Sequence, residues 1–441
     1  MPMSKPTRAR LGTRVARLLK WSARWRQMLS DLFVADDHDK SHDPPNSSST
    51  LAYYQQMIEN VQISRYPPVP IEPRFERLCV DESRIVLKLA RLAATAVIDN
   101  YCNAKVSGLG QKALRDQHAK QHGCVRATFL VRDDLPREFS VGVFRPGARY
   151  DATIRFSNAS GAVHPDRRPD GRGMAIKLQG VEGDTLLNQA LEPFDRLKPV
   201  TSSQDFLLSD YPVFFAKNVP DYARVMHLVQ TPCANGWAKL AQALRFAGFL
   251  LYRPYQTYVF IGHALQRRTN PLLTTYHSMS PYLFGKDRVV RYVVTPVVGQ
   301  NGSEETTRPS KKQTAPDHLR DAMKLALDPN GDERRTGGIF DFAIQLRAMP
   351  SVDDVEDTSK PWADVNDIQV SLARIEIPLQ LFSTADRDCD CENMMFNPWN
   401  TLPAHQPLGG LNRMRLALYL ASIRTRHCLN MIAGAKNPAE P

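Results

Sequence analysis

This 441-residue sequence lacks any run of the ~18 or more uninterrupted apolar residues that a membrane-spanning helix needs. Its best attempt, 246–252, stops at Arg253-Pro254, so a polytopic membrane protein is excluded. Cysteine is scarce. Cys79, Cys102, Cys124, Cys233, Cys389, Cys391 and Cys428 are odd in number and follow no disulfide ladder, so reduced thiols in a cytosol-like compartment are expected. No Gly-Lys-Ser/Thr follows Gly171-Arg172-Gly173, which excludes a phosphate loop, and no Gly-x-Ser-x-Gly elbow occurs. His118 and His122 stand one helical turn apart but lack the general-base Glu of a zinc protease, and Cys389-Asp390-Cys391 lacks the two-residue gap of a zinc knuckle. Metal binding is expected at neither.

Acidic residues are missing from residues 1–30, which hold eight basic ones; of the formal charge of +11 this leaves +3 for everything else. No basic stripe with interleaved aromatics follows, so nucleic acid is not an expected partner. Leu11, Val15, Leu18, Trp25, Leu29 and Leu32 recur at three- and four-residue steps, with one longer step, as on one helix face. Such a basic amphipathic helix suits a peripheral membrane contact, an organelle-targeting segment or a plain solvated extension. No apolar core of a secretory signal is present. The protein is accordingly expected to be intracellular, either cytoplasmic or peripheral to a membrane.

Charged residues at 23% and hydrophobic residues at 42% match ordinary globular usage and exclude a disordered chain or a collagen. Residues 35–50 are polar, Pro- and Ser-rich, and read as a flexible linker. Helical spacing marks 51–117, 220–268, 317–327 and 411–428. Short β-rich runs mark 125–131, 139–144, 150–156, 174–178, 206–208, 289–298, 339–346 and 368–377. This order predicts an α+β fold with one antiparallel, eight-stranded β-barrel and flanking helices. The Leu-, Phe- and Tyr-rich segment 233–265 could border an entry for a lipid, but is expected to be a buried helical hairpin.

In the last helix Arg415, Tyr419 and Arg426 sit at i, i+4 and i+11 and point the same way. A guanidinium one turn before a phenol stabilises the phenolate, a hard ligand for ferric iron. On these residues alone, a tyrosine packed on a basic helix face is the favoured reading.

Further motifs narrow the choice. Leu114-Arg115-Asp116-Gln117-His118-Ala119-Lys120, Ile154-Arg155-Phe156-Ser157 followed by Gly161, Asp170 to Lys177, Pro212-Val213-Phe214-Phe215, Phe396-Asn397-Pro398-Trp399 and Pro407-Leu408-Gly409-Gly410 precede Arg415 and Tyr419 in order. Together they resemble the haem catalase superfamily, especially its small catalase-like branch and the coral allene oxide synthase domain. The resemblance covers about 112–428. It implies a reduced catalase-like core, with haem as cofactor.

By that resemblance Tyr419 would be the iron's proximal ligand, as tyrosine is in catalase, and Arg415 its charge partner. Arg115, Arg155 and Arg426 would pair with haem propionates, while Phe156 and Phe214 would wall the pocket. His118 would be the distal acid/base, oriented by Ser157. The distal asparagine is missing: Ser209 or Asp210 stands near its place, and Asp210 is carried forward as a catalytic candidate. Gln406 replaces an arginine usual in the branch. The expected organisation is a basic helix (1–34), a linker (35–50), a helical extension (51–111), a catalase-like haem domain (112–430) and a tail (431–441). The expected function is a haem-dependent enzyme acting on hydrogen peroxide or on an organic or fatty-acid hydroperoxide. The alternative is a catalytically impaired haem-binding, membrane-peripheral protein.

Overall fold

The computed structural model describes residues 69–106, 112–191, 202–230, 241, 244–245, 247–249, 251–264, 268–297, 315–330, 337–347, 349–362 and 368–432. The chain divides into two compact units, Met1–Tyr53 and Tyr54–Pro441, and all described residues belong to the second. The expected basic helix (1–34), the linker (35–50) and the start of the helical extension lie outside the described residues, as does the tail from 433.

β-Branched and aromatic runs form the strands β1 (Gln121–Val131), β2 (Arg149–Asn158), β3 (Arg172–Gln179), β4 (Ser203–Ser209), β5 (Tyr276–His277), β6 (Tyr282–Phe284), β7 (Arg288–Pro296), β8 (Gly338–Arg347) and β9 (Ile368–Ile377). They pair antiparallel in the order β5-β4-β3-β2-β1-β9-β8-β7-β6, and β5 also pairs with β7. The ring therefore closes on eight strands, with β6 appended. Alternate residues turn inward: Tyr150, Ala152, Ile154 and Phe156 of β2 meet Met174, Ile176 and Leu178 of β3 in one core. Phe129, Phe206, Tyr292 and Phe342 pack there with ring centroids 4.9–5.5 Å apart. Side chains fill this eight-stranded barrel, so its interior is packed core.

Helices α1 (Glu82–Val106), α2 (Leu186–Ala190), α3 (Val219–Gln230), α4 (Pro254–Ala264), α5 (His318–Leu327), α6 (Val352–Glu356), α7 (Ala385–Asn393) and α8 (Gly410–Ile432) accompany the barrel. Val86, Leu89, Ala90 and Ala93 of α1 recur at helical spacing and pack on Leu411, Met414, Ala417, Leu418 and Ala421 of α8. At the start of α8, Glu76 accepts from the Gly409 amide at 2.8 Å and Glu356 from the Gly410 amide at 2.9 Å. Carboxylates there complement the positive end of the helix dipole. Arg413 grips Glu76, Glu82 and Glu356 together.

Four expectations need correction. The run 139–144 is not a strand: Arg137–Phe139 is a 3-10 turn, and Phe139, Val143 and Phe144 plug the barrel core from a loop. The eighth barrel strand is β5, too short to show as a periodic run. The helix expected across 51–117 ends by Val106, and 112–120 is irregular, so His118 lies in a loop and His122 in β1 rather than on one helical turn. In the expected buried hairpin, Leu251 is 83% exposed, Tyr252 86% and Tyr258 69%, although Val259 is buried. Finally, Cys124 of β1 and Cys391 of α7 form a disulfide, so the thiols are not all reduced. No helix among the described residues is long and apolar enough to cross a membrane.

Candidate functional site

The outward faces of β2, β3 and β4 meet one stripe of α8 around a cavity of about 240 Å³, far beyond the ~10–15 Å³ that one water needs. Two cross-strand rows make the barrel-side wall. Ser157, Gly173 and Ser209 stand opposite one another, as do Arg155, Ala175 and Leu207. The helix side repeats every third or fourth residue, through Leu411, Met414, Arg415, Leu418 and Tyr419 on to Arg426. Phe214, Phe215 and Tyr222 add an aromatic side, with the two Phe rings 4.5 Å apart.

His118 enters from the loop before β1 with a φ of +59°, in the left-handed region that non-glycine residues seldom adopt. Both of its backbone groups are held. Its amide donates to Ala159 O at 3.1 Å, and its carbonyl accepts from Arg155 Nη2 at 2.8 Å. Its Nδ1 bonds Ser157 Oγ at 3.1 Å. The ring lies against Gly173, where a Cβ would come within 2.6 Å of Nδ1 and Cε1. Position 173 of that row therefore calls for glycine. Burial, reinforced by the Arg155 charge, pushes the imidazole down to about 4, so it is neutral at neutral pH.

On α8, Arg415 Nη2 donates to the Tyr419 hydroxyl at 3.4 Å, and the guanidinium carbon sits 5.5 Å from the Tyr419 ring centre. Arg415 Nη1 is aimed by Ser280 Oγ at 3.3 Å and Asn412 Oδ1 at 3.1 Å. Burial opposes the Arg415 charge, but the phenols of Tyr419 and Tyr282 outweigh it and raise its pKa.

Arg115, Arg155 and Arg426 converge beside the cavity on one carboxylate. Glu392 lies 2.7 Å from Arg115 Nη1, 2.9 Å from Arg426 Nη1 and 3.4 Å from Arg155 Nη2. Burial, and next the neighbouring Arg115, push Arg155 down to about 9 and Arg426 to about 10. The Nε atoms of Arg155 and Arg426 are buried and have no hydrogen-bond partner among the described residues.

The structure thus gathers His118, Ser157, Arg115, Arg155, Phe214, Arg415, Tyr419 and Arg426 around one cavity. Two expected site residues stand elsewhere. Phe156 belongs to the barrel core, its ring 6.0 Å from Tyr276. Strand alternation forces this, because Arg155 and Ser157 on either side face outward. Asp210 is also off the wall: its carboxylate accepts from the Arg172 amide at 2.8 Å and Arg268 Nε at 3.1 Å. Ser209, opposite Gly173, lines the cavity in its place. His122 is buried in a separate polar network, its Nε2 2.7 Å from Asn158 Oδ1, while Gln406 donates to Pro70 O at 3.0 Å. Glu392 was not singled out in the sequence, since a lone glutamate between a cysteine and an asparagine carries no motif.

No family model matches the chain, and no curated protein matches it significantly. Solved structures do. A fungal catalase aligns with a TM-score of 0.52 at 17% identity, covering 77% of this chain and 65% of its own length. A bacterial catalase gives 0.53 at 15% identity, with 94% and 72% covered. Catalase A from Saccharomyces cerevisiae gives 0.50 at 18% identity, with 77% and 66% covered. This chain therefore spans about two thirds of the fungal and yeast proteins, and at such identities the likeness speaks to fold alone. A closed eight-stranded antiparallel barrel with flanking helices, matched to these structures, gives this chain a catalase-like fold.

Proposed function

We propose that this protein is a haem-dependent enzyme acting on peroxides. The observation that carries the reading is that His118 from the barrel side and the Arg415–Tyr419 pair from the helix side line the same cavity. The residues present fit the cofactor's two propionates. Three guanidiniums share one carboxylate, and two buried Nε donors lack a partner among the described residues. Such an arrangement suits paired charge-assisted bonds to carboxylates.

Tyr419 would hold the iron through its phenol oxygen, to which Arg415 donates. Arg115, Arg155 and Arg426 would hold the propionates. Bound haem would supply a redox-active, Lewis-acidic iron. His118 does the proton work. Being neutral, it can accept the peroxide proton at Nε2 while Nδ1–H donates to Ser157 Oγ, and it can then return that proton to the departing oxygen. Phe214 and the leucines around it exclude water from that exchange.

Ser209 presents a hydroxyl where the resemblance expects an amide. Organic and fatty-acid hydroperoxides therefore belong beside hydrogen peroxide as candidate substrates. The same replacement supports a second reading, a haem-binding protein without useful turnover. The experiment is haem loading of wild type, Tyr419→Phe and His118→Ala, followed by absorption spectra and peroxide consumption. Tyr419→Phe should change the ligation spectrum, and His118→Ala should keep haem but lose turnover. An unchanged spectrum in Tyr419→Phe removes the ligand assignment. A wild type that binds haem but turns over no peroxide leaves the second reading standing.

A further inference from the structure

Glu392 has no role in the reading above. It lies near the C-terminal end of α7, and its carboxylate touches all three guanidiniums of the cluster. Those arginines line the cavity, whereas Glu392 does not. It stands behind them. Its backbone is pinned as well. Arg426 also donates to the Glu392 carbonyl, and Arg115 Nη2 donates to Cys391 O at 3.3 Å and Met394 O at 2.7 Å. Cys391 is bonded to Cys124 of β1. A carboxylate tethered on both sides cannot swing away to make room for an incoming anion.

The charges do not balance locally. Arginine stays protonated at neutral pH, so three cations meet one anion. Burial pushes the Glu392 carboxyl up, but Arg115, Arg155 and Arg426 outweigh it and hold it below its ordinary range. Asp116 is also on the wall, but burial raises its pKa and it already accepts from the Ser422 hydroxyl at 2.6 Å. Positive charge is in surplus around Glu392.

We infer that Glu392 is a permanent positioning residue: from behind, it aligns the three arginines assigned above to the propionates. The ligand's identity rests on the haem reading; the aligning role rests on the cluster alone.

The test uses the full chain without ligand, as wild type, Glu392→Gln and the double variant Glu392→Gln with Arg155→Gln. Each is titrated with haemin and with haemin dimethyl ester, which has the same ring and metal but no carboxylates. Wild type should bind haemin at least ~10-fold tighter than the ester, the worth of one charge-assisted hydrogen bond. Glu392→Gln should melt at a lower temperature, and the double variant should recover part of that loss because one repelling cation is gone. Haemin, but not its ester, should rescue Glu392→Gln. A double variant no more stable than Glu392→Gln overturns the aligning role, and this arm also decides if the single variant fails to fold. Tighter haemin binding by Glu392→Gln without any loss of stability would mean that the carboxylate merely keeps the seat for the ligand, and would overturn it too. Equal affinity for haemin and ester overturns the propionate assignment, while the melting comparison still judges Glu392. If wild type binds neither porphyrin, the haem reading fails, while the melting comparison still judges Glu392.

Discussion

Helix α8 touches two buried charge clusters of opposite make-up. Near its start, one arginine, Arg413, meets three carboxylates, Glu76, Glu82 and Glu356. Farther along, three arginines including Arg426 meet one carboxylate, Glu392. The acidic surplus of the first is absorbed within the fold. The amides of Gly409 and Gly410 donate into it, and burial raises the Glu76 pKa toward a neutral acid. A surplus of arginine has no such outlet, because guanidinium donates only and keeps its proton. A closed account of charge marks a structural clamp, and an open one marks a place where something else must bind.

Four experiments break or sharpen this contrast, in falling order of effect. Arg413→Leu leaves the buried Glu76 and Glu82 and the half-buried Glu356 without their cation and should cost about 3–5 kcal/mol in denaturant unfolding; a loss under ~1 kcal/mol would mean that the clamp is not structural. Reducing Cys124–Cys391, which spans 267 residues, should cost roughly 2–4 kcal/mol. The loss should fall on the open cluster, seen as faster hydrogen exchange in 385–394 while the start of α8 stays protected. Arg155→Gln should weaken haemin binding about 10–100-fold, or ~1.4–2.7 kcal/mol, in a spectral titration. It should change ligand-free stability little, since it also relieves repulsion.

The smallest effect concerns pH. The His118 pKa is about 4 in the fold against an ordinary ~6.5. The unfolded chain therefore binds the extra proton first, and stability contributed at neutral pH is lost as pH falls from ~6.5 towards 4. His118→Gln removes that loss. Relative to wild type it should gain about 1 kcal/mol between pH 7.5 and 5.5 in thermal or denaturant melts. A pH-independent difference would show that the imidazole is not held neutral by burial.

Much of this molecule was legible in its residues. The repeat of Leu411, Met414, Arg415, Leu418 and Tyr419 is a helical period, and seven of the expected barrel strands overlap the long observed ones. Other features escaped for physical reasons. Arg155, Phe156 and Ser157 were assigned to one pocket, although a strand must send the middle residue to the other face. The choice between Ser209 and Asp210 depends on register against Gly173, which no local pattern records. In 139–144 the β-rich composition reflects burial from a loop rather than extended backbone. Cys124–Cys391 and Glu392 with its arginines are contacts between segments far apart in the chain, and pairing across such distances leaves no local trace.

Four methionines, Met226, Met279, Met395 and Met414, line the cavity. Their thioether sulfur accepts oxygen to become a polar sulfoxide, reversibly where reductases act. A wall built this way keeps a chemical record: added peroxide should be written into these side chains before it reaches the barrel, and peptide mass mapping would read it.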